Sequence, residues 1–347
     1  MKAMVKCSIS PPDGWDDYVN AHPAARIFHT GSAINIGLRA FGLETYFLTV
    51  SDASGRIAGA LPAVVQTLIP WTRTLVSLPF CTYGGPLADD TQSLQALVGG
   101  CEQIAALRKV DRIVLRSETA VTSPNRPASL GKVSMVRDLP STAEDLAGQL
   151  GSKLRSQIKR AEKCSPEIKF GSAELLNDFY VVFRSVMRDL GTPVYPRNFF
   201  DVVFDALGRS ASVVVIYVHG LPVSAAILVH WRTTVEVPWA CTLHSMSSTA
   251  VNMRLYWELL KLAISKGCTE FDFGRCSPGD GTHRFKAQWG ARPRQLHWYA
   301  WSPSSGAQMT HALDARSRLG GMSQLWSKLP APVANWLGPR ISARLPW

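Results

Sequence analysis

Acidic residues are scarce in this chain: 26 Asp and Glu stand against 37 Lys and Arg, a formal net charge of +11. A surface of that sign concentrates anions such as RNA, nucleotide-linked substrates or an acidic membrane face, without choosing among them. Paired cysteines are absent as well. The seven (Cys7, Cys81, Cys101, Cys164, Cys241, Cys268 and Cys276) are odd in number and scattered without CxxC spacing, which argues against a zinc site or a disulfide framework. Reduced thiols in the cytoplasm are the expectation. No apolar run follows Lys2 and Lys6, so no signal peptide is expected. Only residues 211–231 are apolar over about the length of a membrane span, and His219, Gly220 and Pro222 near the middle turn them into two buried strands and a turn. No Ser-His-Asp or metal-ligand constellation is legible.

What remains is ample for globular structure. The 347 residues are 46% hydrophobic and 18% charged, enough for sizeable cores in two domains of roughly 150 residues each. The order of pattern types repeats. A strand over 45–50, a turn over 51–55 and a small-residue strand over 57–65 match a strand over 213–218, a turn over 219–222 and a strand over 223–229. Residues 75–80 then match 235–240, each strand-like and each holding one proline. A helix with Leu94, Leu97, Val98, Cys101, Ile104 and Leu107 at three- and four-residue spacing matches one with Met253, Leu255, Tyr256, Leu259, Leu260, Leu262 and Ala263. Strands over 112–116 and 270–274 close each set, all at an offset near 160 residues. The prediction is an α/β chain duplicated in tandem, with domains at 1–145 and 146–305 and a Pro/Trp-rich helical tail at 306–347. Each domain is a mixed central sheet flanked by helices.

The strongest local signal is the stretch from Phe271 to Gly290, which runs Phe-Asp-Phe-Gly-Arg-Cys-Ser-Pro-Gly-Asp-Gly-Thr-His-Arg-Phe-Lys-Ala-Gln-Trp-Gly. Phe271 and Phe273 alternate with Asp272 as on a strand with two unlike faces. Gly274, Gly279 and Gly281 allow tight turning and close approach to a ligand, and Arg275, Arg284 and Lys286 surround them with cationic donors. The unit of hairpin, strand, helix and strand resembles the core of the GNAT acyltransferase fold, so both domains are expected to be GNAT-like. The segment itself resembles the C-terminal signature of FemAB-like proteins, above all the group found in exosortase (PEP-CTERM) exopolysaccharide loci. Residues 79–86, 153–163 and 191–196 add to that resemblance. It implies an acyl- or aminoacyltransferase acting on an amine or hydroxyl of a cell-envelope or exopolysaccharide precursor, with the lysine of the Phe285-Lys286 pair steadying charge at the transfer centre and Arg275 assisting. It also places the donor in the C-terminal domain and the acceptor across a cleft between the domains.

Four further features carry expectations. Acetyl-CoA-using GNAT enzymes hold pyrophosphate on a glycine-rich turn, but residues 244–252 here contain no glycine, which predicts that CoA is not held in the usual way. The donor is left open among aminoacyl-tRNA, an acyl carrier and acyl-CoA, with no resident cofactor. On residues 153–163, the cations Lys153, Arg155, Lys159, Arg160 and Lys163 fall on one arc opposite Leu154, Ile158 and Ala161. Arg155 and Lys159 are therefore candidate ligands for phosphates of tRNA or of a nucleotide- or lipid-linked sugar acceptor. Tyr83 and Tyr195, each in a Gly/Pro-rich loop, and Phe285 and Trp289 are candidate substrate contacts, while Asp189 and His283 are candidate general bases. The tail combines Trp326, Trp336 and Trp347 with Lys328, Arg340 and Arg344, which suits packing or peripheral contact with the inner face of a membrane. The alternatives are a CoA-dependent N-acetyltransferase on a sugar amine, and a non-catalytic basic module for RNA or anionic lipid.

Overall fold

The computed structural model describes residues 4–68, 71–120, 132–302 and 315–345. The chain forms two units, one from residues 1–132, 295–318 and 343–347 and the other from 133–294 and 319–342. The division at 132/133 lies ahead of the expected 145/146. The reason is a single strand: residues 133–138 hydrogen-bond into the second sheet, and so belong with it.

Unit 1 contains strands β1 (Val5–Ser8), β2 (Glu44–Ser51), β3 (Ile57–Leu68), β4 (Thr72–Val76), β5 (Leu87–Ala88) and β6 (Arg112–Ser117), with helices α1 (Trp15–Ala21), α2 (Gly31–Ile34), α3 (Ile36–Phe41) and α4 (Thr91–Leu107). Unit 2 begins with β7 (Val133–Asp138), α5 (Ala143–Gln149), α6 (Ser152–Ala161), β8 (Glu167–Gly171), α7 (Leu176–Asp189) and α8 (Arg197–Leu207). It continues with β9 (Ala211–Val218), β10 (Leu221–Trp231), β11 (Thr234–Thr242), α9 (Val251–Ser265), β12 (Glu270–Cys276), α10 (Gly281–Ala287) and β13 (Arg292–Gln295). Strand β14 (His297–Trp301) returns to the first sheet, and α11 (Ala315–Ser327) and α12 (Ala331–Ile341) follow.

The two sheets repeat one plan. In the first, β2, β3 and β4 are antiparallel neighbours, and β4 runs parallel to β6 after the crossover helix α4. In the second, β9, β10 and β11 are antiparallel, and β11 runs parallel to β12 after α9. An antiparallel strand then flanks each parallel pair, β14 beside β6 and β7 beside β12. The tandem arrangement expected from the sequence is therefore present at the level of strand direction. Residues 211–231 are indeed two strands joined by a turn in which His219 and Gly220 take positive φ.

Burial explains why these strands read as nearly continuous apolar runs: helices cover both faces. Phe47 of β2 meets Trp15 of α1 edge-on at 5.0 Å, while the next residue, Leu48, lies so close to Gly100 of α4 that a β-carbon there would sit 2.5 Å away. In unit 2, Val214, Ile216, Ala226 and Leu228 share one buried cluster with Leu255 and Leu259 of α9. A separate aromatic cluster joins Phe179 and Phe183 of α7 to Phe199 and Phe200 of α8 and Trp239 of β11.

Candidate active site

The site of unit 2 starts from a parallel pair that stops being a pair. Strands β11 and β12 are in register only from Thr234–Glu270 to Glu236–Asp272. Beyond that point β11 continues to Thr242 and β12 to Cys276 without further pairing, so the β12-facing edge of residues 237–242 has no strand partner among the described residues. A cavity of about 770 Å³ opens beside the far end of β11. Its walls come from Ala240, Cys241, Thr242 and Leu243 of β11 and its end, from Met246, Asn252, Met253 and Tyr256 around the start of α9, from Gln157 and Arg160 of α6, from Asp189 and Leu190 at the end of α7, and from Gly281, Thr282 and Phe285 of α10.

The start of α9 borders the cavity. Its N-cap is Ala250, in the left-handed region at φ 62°, which has no capping side chain of its own, while Thr249 Oγ1 accepts from the Val251 amide at 3.4 Å and the Met253 amide donates to the Ala250 carbonyl at 2.9 Å. The positive end of the helix dipole therefore lies at the cavity wall. The glycine-free stretch before it is a 3₁₀ turn, His244–Thr249. Two of its four hydroxyls bond to its own backbone: Ser247 Oγ donates to the His244 carbonyl at 2.5 Å and Thr249 Oγ1 to the Met246 carbonyl at 2.6 Å. Two polar groups of the wall are arranged for a ligand. Ser224, Thr242 and Asn252 form a hydrogen-bonded chain, 2.6 Å between the hydroxyls and 3.1 Å from Thr242 Oγ1 to Asn252 Oδ1. Gln157 Oε1 is buried and has no hydrogen-bond partner among the described residues, so it awaits a donor. Burial pushes the Cys241 thiol and the Tyr256 hydroxyl well above their usual ranges, so both are neutral walls near pH 7.

Lys286 lies behind this wall, not on it. It is 5% exposed, and its ammonium donates to the carbonyls of Gly274 (2.8 Å) and Arg275 (3.0 Å) at the end of β12. The fold leads it there through α10, whose first turn is capped by Asp280 accepting from the His283 amide at 2.6 Å. Gly274 is needed at φ 78°, and a β-carbon on it would approach Lys286 Nζ to 3.9 Å. Burial pulls the Lys286 pKa down to about 8. Cys276, Asp272 and Asp280 oppose that shift and Arg275 adds to it. Asp272, buried two residues before Gly274, accepts from the Ser134 hydroxyl and the Gly274 amide.

The other expected site residues divide. Phe285 and Asp189 line the cavity, Asp189 being exposed and ion-paired with Arg188 at 2.7 Å. Phe285 meets Tyr256 edge-on at 4.9 Å, and Trp289, fully buried, packs behind Tyr256. Arg275 and His283 are half-buried and do not line the cavity. The expected arc on α6 is present, with Leu154, Ile158 and Ala161 inward. Its cations differ in use: Arg155 donates to the Leu150 and Ala147 carbonyls and so closes the end of α5, Lys159 is exposed, and Arg160 reaches the cavity. The two tyrosines are not at loop tips. Tyr195 is buried among Phe183, Phe199 and Phe200, because an aromatic ring flanked by prolines gains more from that cluster than from solvent. Tyr83 is 2% exposed in unit 1 under the guanidinium of Arg26, 5.0 Å from its ring centre. Sequence reasoning missed Gln157, Thr242, Asn252 and Tyr256, since a lone amide or hydroxyl, or an aromatic at helical spacing, carries no signal of its own until neighbouring strands part. Trp347 lies outside the described residues.

With this geometry in place, relatives can be weighed. The family described as "Acetyltransferase (GNAT) domain" matches residues 150–287, from just before α6 to the end of α10. No curated protein matches the sequence. Among solved structures, FemX is similar with a TM-score of 0.66 at 13% identity, over 86% of this chain and 97% of that one. L-PGS from Bacillus licheniformis is similar at 0.56 and 11% identity, over 92% and 98%. A tandem GNAT protein from the clavulanic acid biosynthesis pathway is similar at 0.56 and 10% identity, over 86% and 99%. Residues 150–287 thus match the GNAT acetyltransferase domain model, and the chain has the tandem GNAT-like fold.

Proposed function

We propose that unit 2 transfers an acyl or aminoacyl group, with the activated carbonyl lying against the unpaired edge of β11. The single observation that carries this reading is the cavity along the end of β11, walled by the start of α9, by α10 and by Arg160. An anionic donor fits it: the helix dipole and Arg160 favour negative charge, and unpaired backbone N–H groups of β11 suit an oxyanion that forms when the carbonyl is attacked. Lys286 and Arg275 supply positive potential from behind Phe285. Lys286 also fixes the end of β12 through two carbonyls. Asp189, on the cavity wall, is placed to take the proton of an attacking amine or hydroxyl, and Gln157 Oε1 to accept from it. Because the Ser247 and Thr249 hydroxyls are engaged with their own backbone and no glycine is present, aminoacyl-tRNA or an acyl carrier suits the site better than CoA. The acceptor is a nucleotide- or lipid-linked cell-envelope or exopolysaccharide sugar, met at the inner face of a membrane. The likeness to FemX and L-PGS supports the aminoacyl reading by analogy of fold alone.

The runner-up is CoA-dependent acetylation of a sugar amine, favoured by the position of the α9 start on the cavity wall. The test is transfer of labelled acyl groups from aminoacyl-tRNA, acyl carrier and acyl-CoA pools, with Lys286→Ala and Arg160→Glu compared with the parent protein. Loss of transfer in Lys286→Ala with an unchanged far-UV spectrum is expected. Equal turnover by Lys286→Ala would overturn the role given to that ammonium, and tight CoA binding by calorimetry would favour the runner-up. RNA retention without transfer from any donor would leave a binding module.

A further inference from the structure

Helix α11 from residue 319 onward and helix α12, both in unit 2, carry an unmatched surface. Their inner sides are fixed. Ser323 Oγ donates to the Leu190 carbonyl at 3.3 Å, and the α11 backbone lies directly on Gly191, where a β-carbon would stand 2.2 Å from the Ser323 carbonyl oxygen. Ala334 and Gly338 of α12 are buried, and a β-carbon on Gly338 would meet the Val194 amide nitrogen at 2.9 Å. The outer sides are apolar and wet: Leu325 is 70% exposed, Trp336 60% and Met322 52%, with Val333 beside them. Val333, Trp336 and Arg340 recur at three- and four-residue spacing, so they share one face of α12. The Arg340 guanidinium lies over the Trp336 ring, 4.1 Å from its centre, and Lys328 is exposed between the two helices. From residue 315 to residue 347 there is no Asp or Glu, while Arg316, Arg318, Lys328, Arg340 and Arg344 are all cationic.

We infer that the outer face of α11 and α12 docks on an anionic lipid bilayer. Leu, Met and Trp side chains interleaved with cations and free of acids suit the boundary between headgroups and acyl chains, where rings lie at the interface and cations meet lipid phosphates. Charge decides against a second copy of the chain. A two-fold contact would set this acid-free face against itself, with Lys328 and Arg340 opposing their own copies and no carboxylate on either helix to pair with them. No helix among the described residues is long and apolar enough to cross a membrane, so the contact is peripheral. Leu190, held by Ser323, also borders the cavity, so the docking helices pack against an element of the cavity wall. This deepens the reading of a membrane-borne acceptor, but it is measured by binding without turnover and so stands or falls separately.

The experiment is flotation of the full chain with phosphatidylcholine vesicles, alone or containing about one third phosphatidylglycerol, alongside tryptophan emission. Binding to the anionic vesicles only, weakening with salt, is expected. Leu325→Ser with Trp336→Ser, and separately Lys328→Glu with Arg340→Glu, should each weaken it about tenfold or more at an unchanged melting temperature. Lys6→Glu with Lys109→Glu, an equal change of net charge on unit 1, should shift it less than about twofold. Equal loss in that control, equal binding to neutral vesicles, or no binding to either overturns the inference. So does a dimer in light scattering that the Leu325/Trp336 variant dissociates. Should that variant unfold, the Lys328/Arg340 variant and the salt dependence of the parent decide alone.

Discussion

Units 1 and 2 share one strand plan and treat its open end in opposite ways. In unit 1 the loop after β4 turns back into the space where β4 and β6 part. Ser77 N–H donates to the Val114 carbonyl at 2.9 Å, Gly84 N–H to the Arg116 carbonyl at 3.2 Å, and Arg116 Nη1 to the Cys81 carbonyl at 2.9 Å. Gly85 lies so near β6 that a β-carbon there would be 2.7 Å from Ser117 Cα. The crossover helix α4 is then closed by its own acid, Asp90, whose carboxylate accepts from the Ser93 amide at 2.7 Å. In unit 2 a cavity opens along the end of β11, and the matching helix α9 has no acidic cap, only Thr249 Oγ1 accepting from the Val251 amide at 3.4 Å. The same architecture thus turns its loop back onto the parallel pair once and leaves a cavity beside it once. The difference lies in a few loop residues, not in the sheets.

That contrast can be broken by filling the opening. Ala240→Trp puts an indole into the cavity of unit 2, and transfer should fall by about a hundredfold or more with little change in melting, read from initial rates and calorimetry. A second test probes the lysine behind the wall. A buried ammonium whose pKa is depressed binds its proton less well folded than unfolded, so this group weakens the fold below about pH 8. The penalty is relieved as pH rises from about 8 toward the ordinary lysine value. Lys286→Met should therefore flatten the rise in urea stability over that window by about 2–3 kcal/mol relative to the parent. In unit 1, Gly85→Ala drives a β-carbon into the β6 backbone and should cost about 1–3 kcal/mol by urea titration. Asp90→Ala should cost about 1 kcal/mol through the lost cap. The smallest effect is of opposite sign: Ala250→Gly removes left-handed strain at the start of α9 and should stabilise by about 0.5–1 kcal/mol.

Much of the fold could be read from residue order. The paired strands over 45–65 and 213–229, the helices over 94–107 and 253–263, and the offset near 160 residues all correspond to elements that the structure pairs in the same directions. Periodicity reports burial, and burial is what a helix-covered sheet imposes on every strand. The unit boundary was less legible, because β7 joins β12 across most of unit 2 and no local pattern records so distant a partner. Site residues were legible only where chemistry is rare in a core. Lys286, flanked by glycines and aromatics, stood out, yet its length carries its charge behind the cavity wall. Tyr83 and Tyr195 misled because glycine and proline mark turns whether the turn faces solvent or the interior, and both of these rings turn into apolar surroundings.

The last strand of unit 1 has a consequence for how the chain is made. Ser117 of β6 finds its neighbour His297 only after all of residues 133–294 has been synthesised. Unit 2 can close its own sheet first, while β6 waits with an unsatisfied edge, open to wrong pairing. Release from the ribosome before β14 emerges leaves the first sheet unfinished, so truncations short of residue 301 should aggregate through the open edge of β6, even though every strand of the second sheet has by then been made.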